Sequence, residues 1–273
     1  MITREGQTTK TSKGFYLSVD LGQVSDYTAL ALLETADIRS LNGNGKDSGQ
    51  TTQEWSVRFL ERIPLGTSYP DICKRIAEVV NNPKVATTTN SNLTMVVDAT
   101  GVGLPVVNML KEMRAPAKLT IIPVMLTSGM HVTYDHGCYH VPKRDLMGSV
   151  KMLVGDRTLK IADGMAFQDV LLKELDAFRV TVNVATGHDS YEAWRERDHD
   201  DLVLAVAFAG WYALWRKQHE PLVIAATFGT RKVRGKFSET VANLNAAELD
   251  GAFSGEYHSR HQGFALFSFF RYY

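Results

Sequence analysis

A change of periodicity along the chain constrains its fold more than any other sequence feature. Apolar and polar residues first alternate over three short segments, Phe15–Leu21, Tyr27–Glu34 and Trp55–Ile63, as they do in half-buried strands. A tight turn, Gly22–Asp26, joins the first two segments, so the three predict an antiparallel meander. Beyond them, strand patterns alternate with helical ones, which is typical of parallel crossover units.

The later segments supply those crossover units. Leu93–Asp98 and Leu119–Met125 are predicted strands, and the helical pattern Leu104–Met113 lies between them. The other predicted helices are Pro70–Val80, Lys143–Val154, Phe167–Phe178 and Asp200–Leu214, and the other predicted strands are Cys138–Pro142, Thr158–Ala162 and Arg179–Val184. The chain is therefore predicted to be an α/β protein whose mixed central sheet has three antiparallel strands, then parallel crossover strands, and is flanked by helices.

Composition limits the functional classes. With 273 residues, 44% of them hydrophobic, the chain can bury one substantial core and carry an appendage. No apolar stretch approaches the ~18 residues of a membrane span, and the first residues lack the apolar core of a signal peptide, so we expect a cytoplasmic protein without a membrane partner. Cys73 and Cys138 have no metal-binding spacing. The formal net charge is zero, so nucleic-acid binding would require local basic patches.

Four aspartates stand where predicted elements end or begin. Asp20 and Asp98 end strands, and Asp200 and Asp201 begin an apolar helix. Carboxylates presented from two strand ends and a helix start can converge, and they repel one another unless cations lie between them. A set of aspartates without cysteine, and with at most one histidine, fits hard ions such as Mg²⁺ or Mn²⁺. The sequence therefore predicts a metal site.

Two divalent cations ~3.5 to 4 Å apart can activate water and neutralise the charge that develops during phosphodiester hydrolysis. We expect Asp20, on the central strand, to bridge the two ions. Asp98 would hold one ion and Asp201 the other, with Asp200 sharing or substituting.

Each aspartate also has a purely structural interpretation. Asp20 and Asp98 precede glycine-containing turns, and aspartate is common in turns. Asp200 or Asp201 could cap the helix or lie in its first turn, where the helix dipole favours an acid. Capping does not explain two adjacent acids before an otherwise apolar helix, and so both interpretations remain open here.

The motifs around these acids resemble a known family. They are Val-Asp-Leu-Gly at 19–22 followed by Asp26, Val-Asp-Ala-Thr-Gly at 97–101, Val-Pro-Lys at 141–143 and His-Asp-Asp-Leu-Val-Leu-Ala at 199–205. The strand order is that of the ribonuclease H-like fold, and within it the chain resembles the nuclease domain of phage large terminase subunits, the DNA-packaging motors, over roughly residues 14 to 214.

This resemblance implies a metal-dependent endonuclease that cuts double-stranded DNA during genome packaging with two Mg²⁺ or Mn²⁺ ions. It implies a flexible tail at 1–13, a nuclease domain at 14–218 and a C-terminal extension at 219–273. No Gly-x-x-x-x-Gly-Lys-Ser/Thr loop is present, so the chain is expected to be a nuclease module, whether an excised domain, a split-gene product or a free-standing relative. The partners that the resemblance implies are a separate packaging ATPase, a small terminase subunit or a portal.

Further residues are candidates for supporting roles. Asp26 and His199 could support the metal ligands from outside the coordination sphere. The candidate DNA contacts are Lys143, Arg144, Arg231, Lys232, Arg234 and Lys236. Three other functions remain open: a Holliday-junction resolvase, an actin-like-fold ATPase, because Asp-Leu-Gly and Asp-Ala-Thr-Gly resemble its phosphate loops, and a catalytically silent assembly module.

Overall fold

The described residues of the computed structural model form a mixed sheet of eight strands with helices on both faces. They are residues 8–22, 26–41, 47–89, 93–101, 103–113, 119–181 and 200–219, all within the compact unit Met1–Pro221. The strands are β1 (Thr8–Asp20), β2 (Thr28–Leu41), β3 (Asp47–Ile63), β4 (Leu93–Asp98), β5 (Leu119–Thr127), β6 (Thr133–Asp135), β7 (Cys138–Pro142) and β8 (Leu159–Ile161). The helices are α1 (Tyr69–Val80), α2 (Pro83–Thr88), α3 (Gly103–Glu112), α4 (Lys143–Gly155), α5 (Gln168–Thr181) and α6 (Asp201–His219).

The strand order across the sheet is β6-β7-β5-β4-β1-β2-β3-β8. Strands β1, β2 and β3 pair antiparallel, whereas β4 runs parallel to β1, β5 to β4, and β7 to β5. Consequently β1, β4, β5 and β7 end at the same side of the sheet, which we call the carboxyl edge, and β3 ends there too. This order of antiparallel and parallel strands is that of the ribonuclease H-like fold, and it confirms the predicted fold class.

Two apolar cores cover the two faces of the sheet. Leu17 and Val19 of β1 lie in the core formed with α1 and α3. Tyr16 lies in the opposite core, formed with α4, α5 and α6, whose largest fully buried side chain is Phe208. This division follows from the period of two in a strand. Helix α6 is apolar nearly all round, and accordingly all its residues from 201 to 211 are buried.

Two contacts determine the direction of α6. Ser18 of β1 donates a hydrogen bond from Oγ to the carbonyl oxygen of Ala205 at 2.5 Å. Near the other end of the helix, Lys217 Nζ donates to Gln53 Oε1, in the first half of β3, at 2.8 Å. Helix α6 therefore runs antiparallel to β1 and β3, and its first turn, with Asp201, lies at the carboxyl edge.

The structure corrects two predictions about element boundaries. Strand β1 begins at Thr8, so residues 8–13 are not a tail: residues 8–12 pair with β2, from Ser40 to Ala36, and the register shifts between Ser12 and Gly14. The sequence conceals this because the segment from Thr8 to Ser12 is exposed and lacks apolar alternation. The prediction of a strand at Arg179–Val184 is wrong for residues 179–181, which continue α5. The β-branched residues of this segment favour a strand only weakly, and the preceding helix overrides that preference. Residues 182–184 lie outside the described ranges.

Two further differences are smaller. The short helix α2 was not predicted, and α6 continues five residues beyond its predicted end at Leu214. Among the residues described, no helix is both long enough and apolar enough to span a bilayer.

Candidate metal centre

Asp20 and Asp98 are the last residues of two adjacent parallel strands, β1 and β4. The preceding residues, Val19 and Val97, are register partners, and neighbouring strands lie ~4.8 Å apart. Both valines face α1 and α3, so the alternation of side chains turns the two aspartates toward the face covered by α6. Their exposed fractions are 5% and 3%. Two buried carboxylates are thus neighbours at the carboxyl edge.

The segment after Asp98 is a tight turn that orients this carboxylate. The backbone N–H of Thr100 donates to Asp98 Oδ1 at 2.8 Å, and Thr100 Oγ1 accepts the N–H of Leu126 in β5 at 2.9 Å. Gly101 has a φ of 68°, which favours glycine. Gly103 approaches Asp98 so closely that an added Cβ would lie 2.5 Å from its carbonyl oxygen. Asp98 is therefore a turn residue, and it is also a buried acid in line with Asp20.

The turn after Asp20 is closed by different contacts. The backbone N–H of Gly22 donates to Thr28 Oγ1 at 3.1 Å, which holds the end of β1 against the start of β2. Asp26 lies in this turn at the carboxyl edge and is exposed to solvent.

Asp200 and Asp201 occupy different positions at the start of α6. The carbonyl oxygen of Asp200 accepts the N–H of Leu204 at 3.0 Å, so Asp200 is the N-cap and is half-buried. Asp201 is the first helical residue and only 5% exposed. Arg62, next to the last residue of β3, lies with Nη2 3.2 Å from Asp201 Oδ2. Of the two predicted acids, Asp201 is the more deeply buried, although Oδ2 of Asp200 is also shielded from solvent.

Glu174 of α5 is a fourth buried acid beside α6, and the sequence interpretation missed it. Its side chain forms an ion pair with Arg62 and accepts the backbone N–H of Val203 at 2.9 Å. Burial raises the pKa of Glu174 to about 7; the hydrogen bond from Val203 and the charge of Arg62 oppose this, and the nearby aspartates of α6 add to it. The available signal was an acid on an apolar helical stripe, since Glu174 lies beside Leu171 and Leu175.

The buried acids at this edge all offer carboxylate oxygens, and hard divalent cations prefer such oxygen ligands. In the described part of the chain, no three His, Cys, Asp or Glu side chains are gathered tightly enough to ligate one ion together. Mg²⁺ is commonly held by one or two carboxylates, with waters and phosphate oxygens completing its shell. Asp20 and Asp98 on adjacent strands, with Asp201 opposite, fit that arrangement.

The predicted DNA contacts are only partly described. Lys143 and Arg144 begin α4 directly after β7, so they lie at the carboxyl edge, two strands and ~10 Å from β4. The Arg144 guanidinium already makes local contacts. It donates to the carbonyl oxygen of Met130, and its Nε lies 3.4 Å from Asp145 Oδ1. The other predicted DNA contacts lie outside the described residues: Arg231, Lys232, Arg234 and Lys236. So does His199, the candidate for a supporting role at the metal site.

Solved structures with a similar fold include nuclease domains of a terminase. The human cytomegalovirus terminase nuclease domain, soaked with Mn and bound to an inhibitor, aligns with a TM-score of 0.45 and 13% identity over 74% of this chain and 83% of that one. The same domain soaked with Mn alone aligns with a TM-score of 0.46 and 14% identity over 72% and 81%. No protein-family model matches this chain, and neither does any curated protein.

Proposed function

We propose that this chain is a divalent-metal-dependent endonuclease that cuts double-stranded DNA. One observation carries the proposal: β1, β4 and α6, which are far apart in the sequence, bring the buried carboxylates Asp20, Asp98 and Asp201 to the same edge of the sheet. Burying several acids at one edge of a sheet is unfavourable unless cations balance them. A turn or a helix cap needs no such convergence.

The local contacts prepare these side chains for their roles. One oxygen of Asp98 is held by the N–H of Thr100, so its carboxylate has a set orientation before any ion arrives. Asp20 lies beside Asp98 on the central strand and would contact both ions, while Asp201 approaches from α6, with Asp200 at the cap. Bound divalent ions would supply an activated water and neutralise charge on the attacked phosphate.

The charge of the site favours divalent cations. When ionised, the four aspartates Asp20, Asp98, Asp200 and Asp201 carry four negative charges. The nearby Arg62 guanidinium pairs with Glu174 and lies 3.2 Å from Asp201 Oδ2, so it offsets only part of that charge. Mg²⁺ and Mn²⁺ are the ions that suit such ligands.

A DNA path along the carboxyl edge would pass both the acids and the start of α4. Lys143 could contact a phosphate there without reading sequence. On the motif resemblance, we further propose that the substrate is concatemeric phage DNA in the host cytoplasm. The partners would be a separate packaging ATPase, a small terminase subunit or a portal.

Nicking and linearisation of supercoiled plasmid by the full chain, with Mn²⁺ or Mg²⁺, tests the proposal. We expect Asp20→Asn and Asp98→Asn each to reduce cleavage by at least about 100-fold, the upper end of the losses seen when merely supporting residues of metal sites are changed. Asp135→Asn is the matched control, because Asp135 is an exposed acid in β6 at the opposite edge of the sheet. It should cleave like the wild type.

Other outcomes would favour the other functions. Plasmid that stays intact while ATP is hydrolysed would favour an actin-like ATPase. Cleavage that prefers four-way junctions over linear duplex would favour a resolvase. A protein that neither cleaves plasmid nor binds manganese would favour a catalytically silent assembly module.

A further inference from the structure

Glu174 of α5 contacts the backbone at the start of α6 directly, and it contacts the Asp201 side chain there through Arg62. Its Oε2 accepts the N–H of Val203 at 2.9 Å, and its Oε1 pairs with Arg62 Nη2. The same Nη2 lies 3.2 Å from Asp201 Oδ2. Glu174 and Arg62 are 112 positions apart in the chain, so only the folded structure brings these groups together.

Glu174 accepts one of the unpaired N–H groups in the first turn of α6. The first N–H groups of a helix have no partner within it, and the N–H of the third residue is ordinarily accepted by the side chain of the N-cap residue. Val203 is the third residue of α6, and its N–H donates to Glu174 of α5. This contact ties the first turn of α6 to α5.

Arg62 fixes the side chain of Asp201 in the same network. Its guanidinium lies over the ring of Tyr27, 4.9 Å from the centroid, and its side chain is only 14% exposed. A planar guanidinium held between a ring and a carboxylate has little freedom to turn. Because one nitrogen of Arg62 contacts both acids, the position of Glu174 determines where Asp201 is held.

A buried ion pair by itself is weak evidence for a stabilising role, because apolar residues of similar volume often stabilise a core as well or better. This network instead converges on Asp201, the more deeply buried of the two acids that begin α6. We propose that Glu174 is a positioning residue, which acts through the Val203 N–H and through Arg62 to hold Asp201 in the geometry that binds the divalent ion. The inference rests on the proposed function and adds to it a residue that holds a ligand in place.

Manganese affinity of the full chain without DNA, measured by electron paramagnetic resonance of free Mn²⁺, tests this role apart from catalysis. Glu174→Ala removes both contacts and should weaken Mn²⁺ binding by about 10- to 100-fold, as losses of ligand-supporting residues do. Glu174→Gln keeps an acceptor for Val203 but loses the charge facing Arg62, so its affinity should fall between those of the wild type and Glu174→Ala. Because glutamine has nearly the same shape, this variant carries the test if the alanine variant does not fold.

Glu61→Gln is the matched control. Glu61 forms an equivalent pair with Arg75, 2.7 Å from Oε1 to Nε, between β3 and α1 on the other face of the sheet. The Mn²⁺ affinity of Glu61→Gln should stay within about twofold of the wild type. Glu61 precedes Arg62 in β3, and neighbouring side chains of a strand point to opposite faces of the sheet.

In cleavage assays at saturating Mn²⁺, a fall in kcat for Glu174→Gln with an unchanged KM for DNA would support positioning. A folded Glu174→Gln or Glu174→Ala protein with wild-type Mn²⁺ affinity would overturn the inference while leaving the proposed nuclease intact. A wild-type chain that binds no Mn²⁺ would overturn the proposed function itself, and the inference with it.

Discussion

The close approach of Gly103 to Asp98 makes Gly103→Ala the most informative single substitution. The new Cβ would lie 2.5 Å from the Asp98 carbonyl oxygen and 3.1 Å from its carbonyl carbon, whereas real Cβ contacts essentially never fall below 3.0 Å. The start of α3 and the end of β4 must therefore separate by at least about 0.5 Å. Both opposing atoms belong to the backbone, so no side chain can rotate away to relieve the contact.

Overpacking of this kind costs about 1 to 3 kcal/mol of unfolding free energy. At roughly 2 to 4 °C per kcal/mol for a unit of this size, the unfolding temperature should fall by roughly 2 to 12 °C. The shift also moves a carboxylate that we propose binds metal. Since a 1 Å misplacement can reduce rates ~100-fold, we expect about a tenfold loss of kcat.

Thermal unfolding followed by circular dichroism, together with plasmid cleavage, measures both effects. Gly148→Ala is the matched control: Gly148 is an exposed position inside α4 where an added Cβ meets nothing within 4 Å. Alanine there should stabilise the protein by roughly 0.5 to 1 kcal/mol, because glycine is unfavourable inside a helix. The reasoning is refuted if Gly103→Ala unfolds at or above the wild-type temperature.

Three further predictions concern the fold. Ser18→Ala should lower the unfolding free energy by about 1 kcal/mol in urea titrations, because β1 loses its hydrogen bond to α6; an unchanged midpoint would contradict this. Phe208→Ala should cost about 3 to 5 kcal/mol, since this fully buried ring lies in the core beside α4 and α5, and a loss below 1 kcal/mol would place it elsewhere. Burial alone would raise the pKa of Glu34, but its contacts with Arg58 and Lys10 outweigh burial and lower it. Ionised Glu34 therefore stabilises the folded state above the ordinary glutamate pKa of 4.5, and that contribution is lost as the pH falls below it, so Glu34→Gln should flatten the acid side of the stability profile.

Local patterns were sufficient to predict the order of the elements. Strand and helix periods are properties of a few consecutive residues, and Asp20, Asp98 and Asp201 do end or begin the elements assigned to them. Errors occurred where the pattern was weak, as in the polar first half of β1, whose strand conformation depends on pairing with β2. The beginning of α5 was predicted from its apolar stripe, but its end was not.

By itself, the sequence determined the fold class and the acids that stand at element ends, because periodicity and chain order restrict how consecutive strands can pair. The direction of α6 antiparallel to β1, the deeper burial of Asp201 than of Asp200, and the contacts of Glu174 and Arg62 with the start of α6 follow from the tertiary structure alone. These features depend on contacts between residues far apart in the chain, and such contacts are set by how α5, α6 and β3 pack rather than by any local pattern.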